Sequence, residues 1–171
     1  LRKQLSGLPS RVITATTPPS RRGGVLIEPL GPIGRAGDIP NVNDGSIVLR
    51  LSLGSRAILL TGDAEVTSEH AMLARDVERL RADVLKAGHH GSRTSSSEAF
   101  LDAVAPGHVI FSVGRRNHFN FPHSSVVERF ARRGVQMWRT DLHGMVTVET
   151  DGEALRVEPF RRRATSRSIA P

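Results

Sequence analysis

Two adjacent histidines, His89 and His90, stand in the stretch KAGHHGSRTSSS, between two glycines and ahead of a serine-rich run. A carboxylate, Asp63, follows another apolar run in ILLTGD. Imidazole and carboxylate groups together suit zinc, manganese or iron, and a carboxylate can bridge two divalent cations that clamp the oxygens of a phosphoester. Because the chain has no cysteine, any metal site must use His and carboxylate ligands.

The residues beside the histidines are of types that hold phosphate. Gly88 and Gly91 would let the backbone approach a metal or ligand closely. Hydroxyl and guanidinium groups follow in Ser92, Arg93 and Thr94, and a helix predicted to begin just after them would add backbone N–H donors. Each feature also has a structural alternative, because Gly-Asp is common in turns and paired histidines can equally form a hydrogen-bonded structural element.

Hydrophobic periodicity predicts the elements that must position these residues. The segments SIVLRLSLG and RAILLTGD form a hairpin, and ADVLKAG, HVIFSVG and VQMWRTD are further strands. Helices are predicted at 65–81, in SSSEAFLDAVAP with a Ser95–Glu98 capping box, and in SSVVERFARRG before Gly134. MVTVETDGEALRVEPF closes the pattern as a hairpin. Strands that alternate with helices predict a layered α/β sheet.

Polar groups follow four consecutive strands of this predicted sheet. Ligands bind at the carboxyl ends of strands in such sheets, so the four loops are expected to meet at one edge. Turn formation and phenylalanine packing could also explain RRNHFNFPH, and the fourth loop could be a simple turn. His70 and His108 are assigned structural positions. The four loops contain Asp63; His89 and His90; Asn117, His118 and His123; and Asp141 and His143.

Composition favours one soluble domain with a basic surface. The chain has 171 residues, a net charge of +7 and 38% hydrophobic residues. The charge suggests a polyanionic partner such as nucleic acid, although an excess of arginine over lysine can equally reflect a GC-rich genome. No apolar run approaches the roughly 20 residues of a membrane span, and no signal-peptide core is visible. Residues 1–45 are predicted to be loop-rich with a short strand in VLIEPL, and 161–171 to be a disordered basic tail.

Five segments, in order, resemble a known family: NDGSIVLRL, ILLTGDAE, VLKAGHHGSRTSSS, SVGRRNHFNFPH and WRTDLHGMVTV. They resemble the later half of the metallo-β-lactamase-fold domain of the ComEC/Rec2 competence proteins, over roughly residues 43 to 150. The resemblance implies an αββα sandwich, with two sheets face to face and helices outside. It also implies a site for two divalent ions, zinc or manganese, at one edge.

The resemblance implies roles for individual residues. Asp63 resembles the bridging carboxylate and His90 the late histidine ligand, with His89 either the alternative ligand or a group that contacts substrate. Asn117 and His123 match a loop near the substrate, and with His89 they form the implied catalytic set. The implied substrate-binding residues are Ser92, Arg93, Thr94 and Arg116.

In that family the domain is thought to be a nuclease that degrades the DNA strand that an attached membrane channel does not import. The resemblance therefore implies DNA phosphates and a membrane channel as partners. It also implies a membrane-associated parent protein whose domain lies on the extracytoplasmic side. The chain alone is expected to be soluble.

One departure from the family pattern leaves two functions open. The H-x-D/H-x-D-H motif and the DVGQGD-like strand of the earlier half are absent, so residues 46–160 are expected to be the C-terminal part of such a domain, in a fragment or truncated product. A sheet without its partner layer would expose apolar surface, and this exposure would favour self-association. The chain belongs either to a metal-dependent phosphodiesterase or to a catalytically incomplete module that binds nucleic acid through its arginines. Hydrolases of the same fold acting on other phosphoesters or on lactams are further alternatives.

Overall fold

The computed structural model describes residues 12–34, 39 and 41–160. The basic tail predicted at 161–171 lies outside the described residues, as does the stretch 1–11. Nine strands and four α-helices occur in the described part. The strands are β1 (Ser20–Arg22), β2 (Val25–Gly31), β3 (Val48–Leu53), β4 (Arg56–Leu60), β5 (Val84–Lys86), β6 (His108–Phe111), β7 (Gln136–Arg139), β8 (Val146–Thr150) and β9 (Leu155–Pro159). The helices are α1 (Val66–Asp76), α2 (Glu98–Val104), α3 (Ser124–Arg132) and α4 (Thr140–His143).

The strands form one large sheet and one hairpin. Strands β1 to β7 lie side by side in chain order, antiparallel from β1 to β4 and parallel from β4 to β7. Strands β8 and β9 pair as a separate two-stranded sheet. The structure confirms the predicted α/β class, both predicted hairpins and the short strand in VLIEPL, which is β2. It adds β1, which the sequence pattern does not predict.

The order of the parallel strands places the three long helices on one face of the sheet. Each crossover from β4 to β7 leads to the next neighbour in the same direction, and crossovers of this kind are right-handed. Helices α1, α2 and α3 must therefore lie on the same side. The core lies between these helices and the sheet, and its strand members alternate along each strand. Its members include Leu59, Leu85, Val109 and Phe111 from the strands and Met72, Phe100, Leu101 and Phe130 from the helices.

The other face of the sheet is also apolar. Strand register places Ile58, Ile110 and Trp138 on that face, and each is partly exposed. The β8–β9 hairpin docks at one end of the sheet, where the backbone N–H of Ser55 donates to the carbonyl of Gly152 at 2.7 Å. A sheet with helices on one face and an apolar second face is what one αβ layer of an αββα sandwich requires.

The structure corrects the predicted capping box at the start of α2. Ser95 does not cap the helix, because its hydroxyl donates to the carbonyls of Gly88 and Ser92. The backbone N–H groups of Ser96 and Ser97 instead donate to the carboxylate of Glu69, at 2.5 and 2.8 Å. Glu69 lies on α1 and is only 2% exposed. Helix α2 has Ser97 at its N-cap and no side-chain cap, and a carboxylate distant in sequence holds the backbone just before it.

The helix predicted at 65–81 is shorter in the structure. Helix α1 ends at Asp76, and a 3-10 turn, Glu78–Leu80, completes the segment and buries Leu80. Among the described residues, no helix is both long enough and apolar enough to cross a membrane.

Candidate active site

Asp63 follows β4 on a tight turn that two side chains hold in place. The hydroxyl of Thr61 donates to the carbonyl of Lys86, and the N–H of Asp63 donates to the hydroxyl of Ser46 at 2.9 Å. Gly62 has a left-handed φ of 56°, and a Cβ there would lie 2.8 Å from the Cβ of Ser46. Glycine is needed at this position so that the carboxylate of Asp63 can project from the edge of the sheet.

The two histidines follow β5 on a turn with unusual backbone angles. The turn spans Gly88–Gly91, and both His89 and His90 have left-handed φ values, of 39° and 55°. A Cβ on Gly91 would lie 2.7 Å from Pro122 and 2.9 Å from Phe111, and one on Gly88 would lie 2.6 Å from a carbonyl oxygen. Left-handed backbone costs about 1 kcal/mol or more for a non-glycine residue. Strain of this kind is common where side chains must be aimed for function.

The carboxylate of Asp63 and the imidazole of His90 face each other. The Nε2 atom of His90 lies 3.3 Å from Oδ1 of Asp63, and its Nδ1 atom lies 2.6 Å from the carbonyl oxygen of Ser112. A carbonyl can only accept, so Nδ1 must carry the proton that it donates. Two acceptor atoms at 3.3 Å then need a cation or a second proton between them. A histidine whose other nitrogen is fixed by a backbone carbonyl is the usual arrangement for a metal ligand.

Lys86 adds a positive charge behind this pair. Its ammonium lies 3.5 Å from Oδ1 of Asp63 and donates to the carbonyl of Gly62. Burial lowers the pKa of Lys86, and the attraction of Asp63 opposes that shift only in part. The ammonium therefore places a positive charge beside the carboxylate of Asp63, on the side of the sheet.

His89 belongs to a second cluster beside the first. Its Nδ1 atom donates to Oε1 of Glu65 at 2.6 Å, and the side-chain amides of Asn41 and Asn43 donate to the same carboxylate at 2.7 and 3.0 Å. Glu65 is 13% exposed. Burial alone would raise the pKa of Glu65, but hydrogen bonds from Asn43, Thr94 and His89 together lower it. Glu65 therefore fixes the ring of His89 as the Ser112 carbonyl fixes that of His90.

This cluster predicts a pH dependence of stability. The folded-state pKa of Glu65 lies below its ordinary value of 4.5, so Glu65 stabilises the fold above that pH and loses its contribution as the pH falls through the lowered folded-state value. Glu65→Gln should reduce the free energy of unfolding at about pH 7. The variant should then lose less stability than the unchanged chain on going to about pH 3. Urea denaturation at several pH values measures this, and equal acid losses in the two proteins would contradict it.

The loop after β6 closes the site from the other side. Asp63, His89, His90, Asn117 and Phe121 line one cavity of about 360 Å³. The Asn117 side chain accepts from the N–H of Phe121 and donates to the carbonyls of Phe121 and Gly114, so it shapes the loop. A larger cavity, of about 1010 Å³, lies elsewhere, but Arg75 is the only charged side chain in the lining that the structure describes. The side chains that could bind a metal or a phosphate therefore line the smaller cavity.

Residues of three of the four predicted loops lie together at this edge. In the fourth loop, Asp141 and His143 bond to Arg139 of the same segment instead. Asp141 forms an ion pair with Arg139 at 2.6 Å, and His143 accepts from the backbone N–H of Arg139. These contacts fix the short helix α4 rather than the cavity. His123 lies one cavity away, where its Nδ1 accepts from the N–H of Ser125 at the start of α3.

The predicted substrate-binding residues differ in exposure. Ser92 is buried and its hydroxyl pairs with that of Thr94 at 2.9 Å, whereas Arg93, Thr94 and Arg116 are exposed. The carboxylate of Glu69 occupies the N–H groups of Ser96 and Ser97 just before α2, so these two groups are not available to a phosphate.

Two residues of the site were missing from the sequence prediction. Lys86 carried a signal, because it is one of two lysines among 24 basic residues. Lysine carries a compact ammonium and arginine a planar guanidinium, so the two are not interchangeable beside a carbonyl and a carboxylate. Glu65 follows Asp63 closely in sequence, but its pairing with His89 and with two asparagines from another segment has no local signal.

The donor atoms fit a divalent cation, although the set is small. Within residues 12–34, 39 and 41–160, no group of three or more His, Asp or Glu side chains is arranged to hold a metal ion. Asp63 and His90 offer two ligands of the types that zinc and manganese accept, whereas a complete zinc site has four. The described residues thus offer two neighbouring donor groups of types that suit a divalent cation.

Comparison with known proteins agrees with this geometry. The model of the metallo-beta-lactamase superfamily matches residues 10–115. The chain is 40% identical over 119 residues to Recombination protein 2 of Haemophilus influenzae, and the aligned region covers 70% of this chain and 15% of that protein. It is 38% identical over 112 residues to Competence protein ComA of Neisseria gonorrhoeae, covering 64% and 16%. It is 35% identical over 111 residues to ComE operon protein 3 of Bacillus subtilis, covering 65% and 14%.

The chain thus spans about one sixth of the length of these relatives. The relatives confirm the resemblance to the ComEC/Rec2 competence proteins, and the superfamily match fits the predicted αββα sandwich. This chain belongs to the metallo-β-lactamase superfamily.

Proposed function

We propose that the chain supplies one wall of a metal-dependent phosphodiesterase site that acts on DNA in natural competence. The observation that carries the proposal is the pair formed by Asp63 and His90, in which carboxylate and imidazole acceptors face each other across 3.3 Å. Relatives named as competence and recombination proteins support the process. Residues 46–160 would form the C-terminal part of the hydrolase domain.

The residues have separate tasks in this proposal. Asp63 and His90 would hold a divalent cation of the kind that superfamily members generally use, zinc or manganese, with a second ion in the intact site. Such a cation supplies Lewis acidity toward a phosphoryl oxygen. Lys86 would orient Asp63 through their ion pair, and Ser112 fixes His90 in the tautomer with a free Nε2 atom. His89, fixed by Glu65, would position the substrate in the same cavity.

Charge favours a phosphodiester over a lactam as the substrate. The loop that closes the cavity carries two exposed arginines, Arg115 and Arg116, and the chain has a net charge of +7. Cationic side chains at a cavity mouth raise the local concentration of polyanions. The matched region covers 14–16% of the length of these relatives, so most of each relative lies outside it. The same proposal therefore includes a membrane channel in the rest of the protein and an extracytoplasmic location for this domain.

A hydrolysis assay tests the proposal. The chain is incubated with Mn²⁺ or Zn²⁺ and a labelled DNA oligonucleotide, beside Asp63→Asn and a chelator control. We expect metal-dependent cleavage that the variant loses by at least about 100-fold, because the carboxylate is needed for the metal. Cleavage that is equal in the variant, or that survives the chelator, would contradict the assignment.

A second candidate function rests on the small number of ligands. Two of the described side chains face each other as metal ligands, and the described residues contain no third. The chain alone would then bind nucleic acid through Arg93, Arg115 and Arg116 without cutting it. In the same assay this candidate predicts salt-dependent DNA binding and no cleavage with any metal.

A further inference from the structure

The loop that closes the site presents one large aromatic side chain to solvent. Phe119 is 75% exposed and lines the same cavity as Asp63 and His90. A phenylalanine side chain in water gives up the free energy that burial of its ring would supply. An exposed aromatic ring beside the carboxylate and imidazoles of this cavity is available as a contact surface for a ligand.

Phe119 is the outermost of three rings in contact, followed by Phe121 and His89, that extend from solvent into the site. Its ring stacks on that of Phe121, with centroids 5.6 Å apart and planes 18° apart. Phe121 in turn meets the imidazole of His89 edge to face at 5.4 Å. One face of Phe119 is thus covered by Phe121, and the ring can offer its other face to a further planar group.

The loop holds this ring in a defined place. The Asn117 side chain accepts from the N–H of Phe121 at 2.7 Å and donates to the Phe121 carbonyl at 2.9 Å. These bonds fix the backbone of Phe121, on which Phe119 stacks. A preformed platform loses little conformational entropy when it binds a ligand.

The charges around the ring identify the kind of planar group. Arg115 and Arg116 precede Phe119 in the same loop, both are exposed, and neither forms an ion pair with any described residue. Nucleic acid is the ligand that combines flat bases with closely spaced anionic phosphates. Surfaces that bind single strands combine exposed aromatic rings with basic side chains in this way, and a base inside a duplex cannot offer its face.

We propose that Phe119 stacks an unpaired nucleobase of single-stranded nucleic acid, with Arg115 and Arg116 on neighbouring phosphates, so that the strand enters the Asp63–His90 cavity. This inference rests on the proposed function and deepens it, because it assigns the substrate class to one residue. The site then selects single strands or unpaired ends over continuous duplex.

The test is an equilibrium binding measurement that needs no metal and no cleavage. The probes are a labelled single-stranded thymidine oligonucleotide and an abasic strand with the same number of phosphates. The full chain should bind the thymidine strand about tenfold more tightly than the abasic strand. Phe119→Ala should lose that preference, whereas Phe119→Trp should keep it.

Two controls separate stacking from other effects. Phe160 is 74% exposed, follows β9 and does not line the cavity, so Phe160→Ala makes the same change at a similar exposure and should leave the preference intact. The double variant Arg115→Ala and Arg116→Ala should weaken both strands equally and reduce the dependence of affinity on salt. Circular dichroism of each variant checks the fold.

Several results would overturn the inference. They are binding of neither strand, equal binding of both strands by the unchanged chain, or an unchanged preference in Phe119→Ala. A change in self-association in Phe119→Ala, with nucleic-acid binding intact, would make the ring a contact between copies of the chain. The proposed function fails separately, in the cleavage assay, because base preference is measured without metal.

Discussion

His90→Ala is expected to lower the affinity of the chain for Mn²⁺ and Zn²⁺ by more than about 100-fold. Loss of a partner that merely orients a ligand costs 10- to 100-fold, so loss of the ligand should exceed that range. The Nε2 atom of His90 is fixed by the Ser112 carbonyl and faces Asp63, and alanine removes it without touching the core. Calorimetric titration measures the affinity. Asp63→Asn should give a loss of similar size.

The matched control for this prediction is His70→Ala. His70 is exposed on α1, so the same chemical change there leaves the site intact. Its metal affinity should stay within about twofold of the unchanged chain. Equal losses in both variants would mean that histidines bind metal nonspecifically, and no loss in either would remove His90 from the site.

Glu69→Ala is expected to reduce the free energy of unfolding by about 2–4 kcal/mol. The carboxylate is buried between α1 and α2 and accepts the N–H groups of Ser96 and Ser97. Burial raises the pKa of Glu69, although the hydrogen bonds from Ser97 and Ser96 counter part of that rise. Alanine would leave the buried N–H of Ser96 and the partly buried N–H of Ser97 without a partner, and a buried donor without one costs about 1–3 kcal/mol.

Urea denaturation of Glu69→Ala beside Glu78→Ala measures this effect. Glu78 is exposed in the 3-10 turn after α1, so its removal should change stability by less than about 0.5 kcal/mol. A loss below about 1 kcal/mol for Glu69→Ala would show that water replaces the carboxylate. The backbone at Ser96 and Ser97 would then have to be held by other contacts.

The local pattern of the sequence was enough to predict most of the elements. Alternation in SIVLRLSLG and RAILL defines β3 and β4, and the helix stop at Gly134 corresponds to a left-handed φ of 67°. These signals are local, because alternation and a left-handed glycine are properties of a few consecutive residues. β1, with only three exposed residues, carries too little pattern to be predicted.

Contacts between distant segments had no such signal. Glu69 holds the backbone just before α2, and the side-chain amides of Asn41 and Asn43 donate to Glu65. Local rules assigned the cap to Ser95 because a capping box is defined by spacing alone. In the site, the sequence predicted that Asp63 and the two histidines would meet, since strand ends share an edge. It could not predict that Asp141 would pair with Arg139 instead.

The sequence also could not decide which of His89 and His90 faces Asp63. Sequence reasoning left His89 and His90 as alternatives, because adjacent residues have equal access to a strand end. The structure places Nε2 of His90, but not His89, within 3.3 Å of Asp63, and it pairs His89 with Glu65. Which nitrogen meets the carboxylate depends on left-handed angles at both residues, and these angles follow from the packing of Gly88 and Gly91.

The most direct test of the central claim is an anomalous difference map from crystals of the chain grown with Zn²⁺ or Mn²⁺. The account predicts a peak about 2.0–2.2 Å from both Nε2 of His90 and a carboxylate oxygen of Asp63. A peak between His89 and Glu65, or no peak at the edge of the sheet, would contradict it.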